Sequence, residues 1–163
     1  MSDRPIQHLY PAAVAHCYGC GQLNEHGHHF ETVWDEAADE GVTRFTPGPE
    51  HMAIPGYVYG GLIASLIDCH GVGTAAAAVR RARGSGVALR YVTASLQVDF
   101  LKPTPLGIEL EARGHVVEMK ERKVVVGVRL LADGVECCRG RVVAVRMPEG
   151  MATVASDASG TRS

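Results

Sequence analysis

The sequence predicts an α+β fold in which an antiparallel sheet wraps one long central helix. Three observations carry this. Residues Gly60 to about Arg81 form the one long helical candidate, and it is apolar on nearly every side, which is the pattern of a buried helix. Downstream, the chain takes on strand chemistry and keeps it as far as Met147. A lone apolar helix beside so many strands has only the sheet to cover it.

Each element follows from its residues. Phe30 to Trp34 and Gly41 to Phe45 carry aromatic and β-branched residues around the acidic turn Asp35 to Glu40, and they read as a hairpin. Residues 46–57 hold Pro47, Gly48, Pro49, Pro55 and Gly56, which disfavour regular structure and predict a shaped loop. The helix is built from Leu62, Ile63, Ala64, Leu66, Ile67, Cys69 and the run Ala75 to Ala78. It ends at Arg80-Arg81-Ala82-Arg83-Gly84, where cations suit the negative end of the dipole and glycine suits the cap. Val87 to Leu101 is the next strand, with Leu96, Val98 and Phe100 alternating against Gln97 and Asp99. Pro103, Pro105 and Gly107 then force a turn. Ile108 to Met119, Lys123 to Leu131 and Val135 to Met147 are three further strands, the last two joined at the hairpin signal Asp133-Gly134.

Residues 1–147 thus make a single domain with an N-terminal extension, and the small, polar stretch 148–163 is expected to be a flexible tail. A chain of 163 residues, 46% hydrophobic and 21% charged, has the balance of an ordinary globular domain with one core. Sixteen basic against eighteen acidic residues leave a formal charge of -2, so no overall field favours nucleic acid or an anionic membrane. The N-terminus has no leader-like apolar run, and no later segment reads as a membrane span. A cytoplasmic protein is the expectation from that, and the five cysteines, Cys17, Cys20, Cys69, Cys137 and Cys138, odd in number with an adjacent pair, predict reduced thiols.

The stretch Pro55-Gly56-Tyr57-Val58-Tyr59-Gly60-Gly61-Leu62-Ile63-Ala64-Ser65-Leu66-Ile67-Asp68 resembles the PaaI-like branch of the hotdog thioesterases. The pattern there is a loop, His-Gly-Gly, and an acidic residue seven after the second glycine. Leu96-Gln97-Val98-Asp99-Phe100-Leu101-Lys102-Pro103 looks like the family's central strand, which ends in a basic residue and proline. Cys17-Tyr18-Gly19-Cys20-Gly21 with Asn24 is similar to a Cys-x-x-Cys-Gly…Asn entry found in some members. Together these segments span residues 16 to 147 in the family's order, and a set in order outweighs any one short motif. The resemblance implies a hotdog fold and an acyl-CoA thioesterase working as a homodimer or dimer of dimers. Acyl-CoA is the implied substrate, with no cofactor besides the coenzyme A that it carries.

Thioester hydrolysis needs a group that activates water or attacks the carbonyl, and a donor for the developing oxyanion. Gly60, in the first turn of the helix, has a backbone N–H that the helix does not use and that lies at the positive end of its dipole. Gly61 allows close approach. Asp68 is the candidate base or nucleophile, since an acid on so apolar a helix is costly without a partner or a role. It lies eight residues further on, about 12 Å along the axis at ~1.5 Å per residue. One thioester therefore meets both groups only if they come from different subunits. Thr93, ten residues before Pro103, matches the strand position where relatives carry a Ser or Thr that helps hold the water.

Tyr59 departs from the family pattern, standing where histidine is usual, and a phenol can still donate a hydrogen bond. Ala53 stands about where relatives place a polar helper, and His51 and Glu50 are the nearest polar substitutes. Tyr59, Gly61 and His51 are the substrate-binding candidates. Cys17 and Cys20 form half of a structural zinc site that His16, His26, His28 or His29 could complete, but there is no second close pair at the usual separation, and no metal is expected. Cys69 and His70, as sequence neighbours on a helix, do not face each other as nucleophile and base, and Cys69 reads more simply as a buried thiol. Arg80, Arg81, Arg83, Lys102, Lys120, Arg122 and Lys123 are the cations available for coenzyme A phosphates. The alternative to an enzyme is a hotdog protein that binds acyl-CoA or another hydrophobic ligand without turning it over, and Tyr59 and Ala53 motivate it. A dehydratase is less well matched, because Tyr59 removes the histidine that would pair with the acid.

Overall fold

Helix α1 (Gly60–Arg83) organises the molecule. It runs 24 residues, a little past the expected Arg81, and stops where Gly84 takes a φ of 89° and gives its N–H to the Arg80 carbonyl at 2.8 Å. That backbone region carries no penalty only for glycine. The structure, a computed structural model, describes residues 4–87 and 90–151. The expected flexible tail falls outside the described residues from 152 onward. By length and mean hydropathy α1 also passes for a membrane span, which the sequence reading did not expect of any segment. Yet 83% of its apolar window is buried inside the protein, so its hydropathy is accounted for by the core.

Among the described residues, six strands form one antiparallel sheet: β1 (Thr32–Asp35), β2 (Glu40–Phe45), β3 (Tyr91–Phe100), β4 (Leu110–Met119), β5 (Lys123–Ala132) and β6 (Val135–Arg146). Their order is β1-β2-β4-β5-β6-β3. One long helix on one antiparallel sheet, as the described residues form it, is the predicted architecture. The differences lie at strand ends. β1 starts at Thr32 rather than Phe30 because the Phe30 N–H is taken by the Gly19 carbonyl at 2.9 Å. β3 starts at Tyr91, and residues 88–89 of the expected strand lie outside the described residues. Asp133 and Gly134 both take positive φ, 49° and 74°, the geometry of the tight hairpin that the Asp-Gly pair predicts.

The core lies between α1 and the concave sheet. Leu62, Leu66, Ile67, Ala75 and Val79 are buried against Leu110, Val124, Val126, Leu130 and Val142. Helix and sheet approach closely at glycines: a Cβ on Gly71 would stand 2.5 Å from a Val142 methyl, and one on Gly114 would stand 2.6 Å from His70 Nε2. His70 is fully buried, with its Nδ1 2.8 Å from the Thr43 hydroxyl and its Nε2 3.4 Å from that of Thr74. Burial pushes its pKa down to about 3, so the ring is neutral. The N-terminal extension belongs to the same body. Gln7 is buried and receives the Thr32 N–H at 2.8 Å while donating to the Thr32 hydroxyl at 3.2 Å.

At the far end of the sheet from β1, β3 pairs, among the described residues, on one side only, with β6. A register shift between Thr93 and Ser95 interrupts its alternation. Val98 packs on the core, but Leu96 and Phe100, which the alternation places on the same face, stay 39% and 56% exposed.

Candidate active site

The start of α1 is held by the loop that the prolines predicted. Residues Pro49–His51 make a 3-10 turn, Met52 bridges Val58, and Tyr57 bridges Pro105. The Tyr59 N–H bonds to the His51 carbonyl at 3.0 Å, and the Val58 N–H to that of Thr104 at 2.9 Å. Gly60 is therefore placed as the first helical residue, with an N–H that α1 does not use. It lines an open, mostly apolar cavity of about 560 Å³ with Ile54, Tyr57, Ile63, Phe100, Leu101 and Lys102. The Tyr59 ring folds over Gly61, where a Cβ would come within 2.4 Å of it. Any side chain at Gly61 would displace that ring, which is 41% exposed.

Asp68 sits half-buried two turns further along α1, and Thr93 of β3 donates its hydroxyl to the carboxylate. Burial pushes the Asp68 carboxyl above its ordinary range. The Thr93 hydrogen bond and, more weakly, Arg90 pull it back, while negative charge at Cys17 pushes it further up. This pair lines a second cavity, of about 230 Å³, with Arg90 and the thiols of Cys17, Cys20 and Cys69. Within one chain, then, Asp68 and Thr93 meet, and Gly60 lies at a different cavity.

His51 has a different setting from either. Its Nδ1 accepts the Gly48 N–H at 2.9 Å, and its ring meets those of His28 and Phe45 at centroid distances of 5.2 and 5.8 Å. It shapes the loop from behind and borders neither cavity. Ala53 lines the apolar cavity. Of the cations, Arg81 pairs with Glu36, Arg83 bonds the carbonyls of Lys120 and Glu121, and Lys120 and Lys123 pair with Glu118. Lys102 lines the cavity that holds Gly60.

Sequence reasoning missed the company of Asp68. It set Cys17 and Cys20 against nearby histidines and left Cys69 a lone buried thiol. The fold instead brings the sulfurs of Cys17, Cys20 and Cys69 within 4.8 Å of one another. A signal was present in Gly19 and Gly21: a Cβ on Gly19 would stand 2.3 Å from the Cys69 sulfur, and one on Gly21 2.3 Å from the Cys17 nitrogen. Arg90, beside the same cavity, carried no such signal.

The sequence profile of the thioesterase superfamily matches residues 55–139. An acyl-coenzyme A thioesterase of Xenopus laevis, THEM4, is 35% identical over 104 residues, 63% of this chain, and the match spans 43% of that protein's length. The crystal structure of a thioesterase superfamily protein from Shewanella loihica PV-4 is 46% identical, covers 83% of this chain and 97% of its own, and superposes with a TM-score of 0.65. The PaaI protein of E. coli, from the phenylacetic acid degradation operon, shares the fold at 20% identity, covering 66% of this chain and 76% of its own with a TM-score of 0.54. With one long helix on a six-stranded antiparallel sheet among its described residues, the chain has the hotdog fold and belongs to the thioesterase superfamily.

Proposed function

We propose that the protein hydrolyses acyl-CoA thioesters to a carboxylic acid and coenzyme A, in a site that two chains build together. The observation that carries this reading is the Asp68–Thr93 pair: a half-buried carboxylate with a raised pKa, held by a hydroxyl, on the same helix as the free Gly60 N–H but at another cavity. In this reading the acyl chain enters the apolar cavity, and its thioester carbonyl takes the Gly60 N–H. Asp68 of the second chain accepts a proton from water steadied by Thr93, or attacks the carbonyl carbon itself. The C–S bond then breaks and coenzyme A leaves as the thiol, its sulfur taking the proton that Asp68 accepted from water. Where Asp68 itself attacks, coenzyme A leaves as the thiolate, protonated by solvent, and a water then cleaves the acyl–Asp68 anhydride to release the acid and the free carboxylate. Negative charge gathers on the carbonyl oxygen as the tetrahedral species forms, and a preset donor at a helix N-terminus favours that state over the ground state. Lys102, at the wall of the cavity, is the proposed contact for a coenzyme A phosphate. Tyr59 and Gly61 shape the entrance, and His51 acts through the loop it holds.

The test is a complementation between two inactive variants. Asp68→Asn removes the base. Gly60→Pro removes the N–H at a position where proline suits a helix start, and Gly60→Ala is the steric control beside Phe100. On a panel of acyl-CoAs with thiol detection, each inactive variant should lose about 100-fold or more in kcat, while Gly60→Ala keeps most of it. Co-expressed Asp68→Asn and Gly60→Pro chains should regain about a quarter of the parent activity, because mixed dimers hold one intact site. Full turnover by Asp68→Asn would remove its role. A mixture no better than its parts would place both groups in one chain. Tight binding with no turnover across the panel would favour the ligand-binding alternative.

A further inference from the structure

The three thiols beside Asp68 have a geometry that a reduced, idle cluster does not need. Cys17 and Cys20 come from the N-terminal extension, and Cys69 comes from α1, 52 residues after Cys17. Their sulfurs lie within 4.8 Å of one another, and those of Cys17 and Cys69 are 3.9 Å apart. A tetrahedral ion with metal–sulfur bonds of about 2.3 Å holds its sulfurs about 3.8 Å apart. The turn around the first cysteine is also tightly closed. The Gly21 N–H closes the turn on the Cys17 carbonyl at 2.7 Å. Gly19 lies against the Cys69 sulfur, so the turn can seat on the helix only without a side chain there. Cys20 and Cys69 are 1% and 4% exposed, while Cys17 is half-buried and borders the cavity. Arg90 at the same cavity offsets the surplus negative charge that three thiolates leave around a divalent ion.

We propose that Cys17, Cys20 and Cys69 bind one soft divalent metal ion of the zinc class, with the fourth coordination position turned to the cavity that also holds Asp68. Three thiolates select a borderline-soft ion such as Zn²⁺ over Mg²⁺ or Ca²⁺, which prefer oxygen ligands. Binding releases the protons of those thiols that still carry them. The ion ties the N-terminal extension to α1 and so fixes the wall of the Asp68 cavity. This site stands apart from the thioesterase reading, since it rests on the thiols alone.

The experiment uses the full chain, purified with a thiol reductant and without chelator. Elemental analysis should find about one zinc per chain. After stripping, Cd²⁺ should restore one equivalent with a thiolate-to-metal charge-transfer band in the ultraviolet, and Zn²⁺ should raise the melting temperature. Cys17→Ser, Cys20→Ser and Cys69→Ser should each weaken Cd²⁺ binding by about 100-fold or more. Cys137→Ser, a buried thiol on β6, should leave it unchanged. Should Cys69→Ser not fold, alkylation mapping of the unaltered chain decides instead, with Zn²⁺ expected to slow labelling of Cys17 at least tenfold. The proposal is overturned if neither Zn²⁺ nor Cd²⁺ binds at micromolar concentration, if the Cd²⁺ band survives Cys69→Ser, or if Zn²⁺ leaves Cys17 labelling unchanged.

Discussion

Asp68 is the only acidic side chain on α1, and burial alone would favour its neutral form. The Thr93 hydroxyl is what makes a carboxylate tolerable there, and it spends its proton on Asp68, leaving its own oxygen free to accept from water. Replacing Thr93 by Val should remove that bond with little change in shape. A hydrogen bond to a charged group contributes about 1.5 kcal/mol, so kcat should fall by about tenfold. Thr93→Ser should retain most of the activity, and steady-state rates on the best acyl-CoA of the panel measure both. At this scale legibility was uneven. Asp68 was conspicuous in the sequence because an acid on an apolar helix calls for a partner. Thr93 was found only through the resemblance, since a threonine is ordinary in any strand. Cys69 was read as a buried thiol because nothing in the sequence says which loop reaches that turn of the helix.

Among the elements, the seat of α1 on the sheet depends on the absence of side chains where the two come closest. Gly71 is the sharpest case, with both methyls and the Cβ of Val142 within 2.8 Å of where its own Cβ would stand. Gly71→Ala should cost about 1 to 3 kcal/mol, because a branched neighbour in a packed core has no room to retreat. Urea unfolding followed by circular dichroism checks this, and Gly86→Ala, which meets open space, should change little. Periodicity located α1 and the strands to within a few residues. It failed on β3, where the register shift at Thr93 and Ser95 and the edge position leave Leu96 and Phe100 uncovered. Alternation in a sequence reports faces, and it does not report whether anything packs against them.

The uncovered face is a property of the whole molecule. The free edge of β3 and the exposed Ile54, Tyr57, Phe100 and Leu101 around the apolar cavity suit a partner, and an unpaired strand edge is a template for pairing. A homodimer or dimer of dimers in solution is expected. Leu96→Glu should shift the light-scattering mass toward the monomer, with activity falling in step, while the far-ultraviolet circular dichroism stays unchanged. A parent protein that is already monomeric and active would contradict the shared site. The α+β class, the buried helix and its stop at Gly84, the shaped loop before Gly60 and the Gly60–Asp68 spacing all follow from the order of residues along the chain. These are written in local periodicity and in residue types with few conformational choices. It took the packed chain to bring Thr93 to Asp68, to set His51 against the loop it holds, and to join Cys69 to Cys17 and Cys20. Contacts between residues tens of positions apart depend on how the sheet curls over the helix, and no local pattern in the chain encodes that distance.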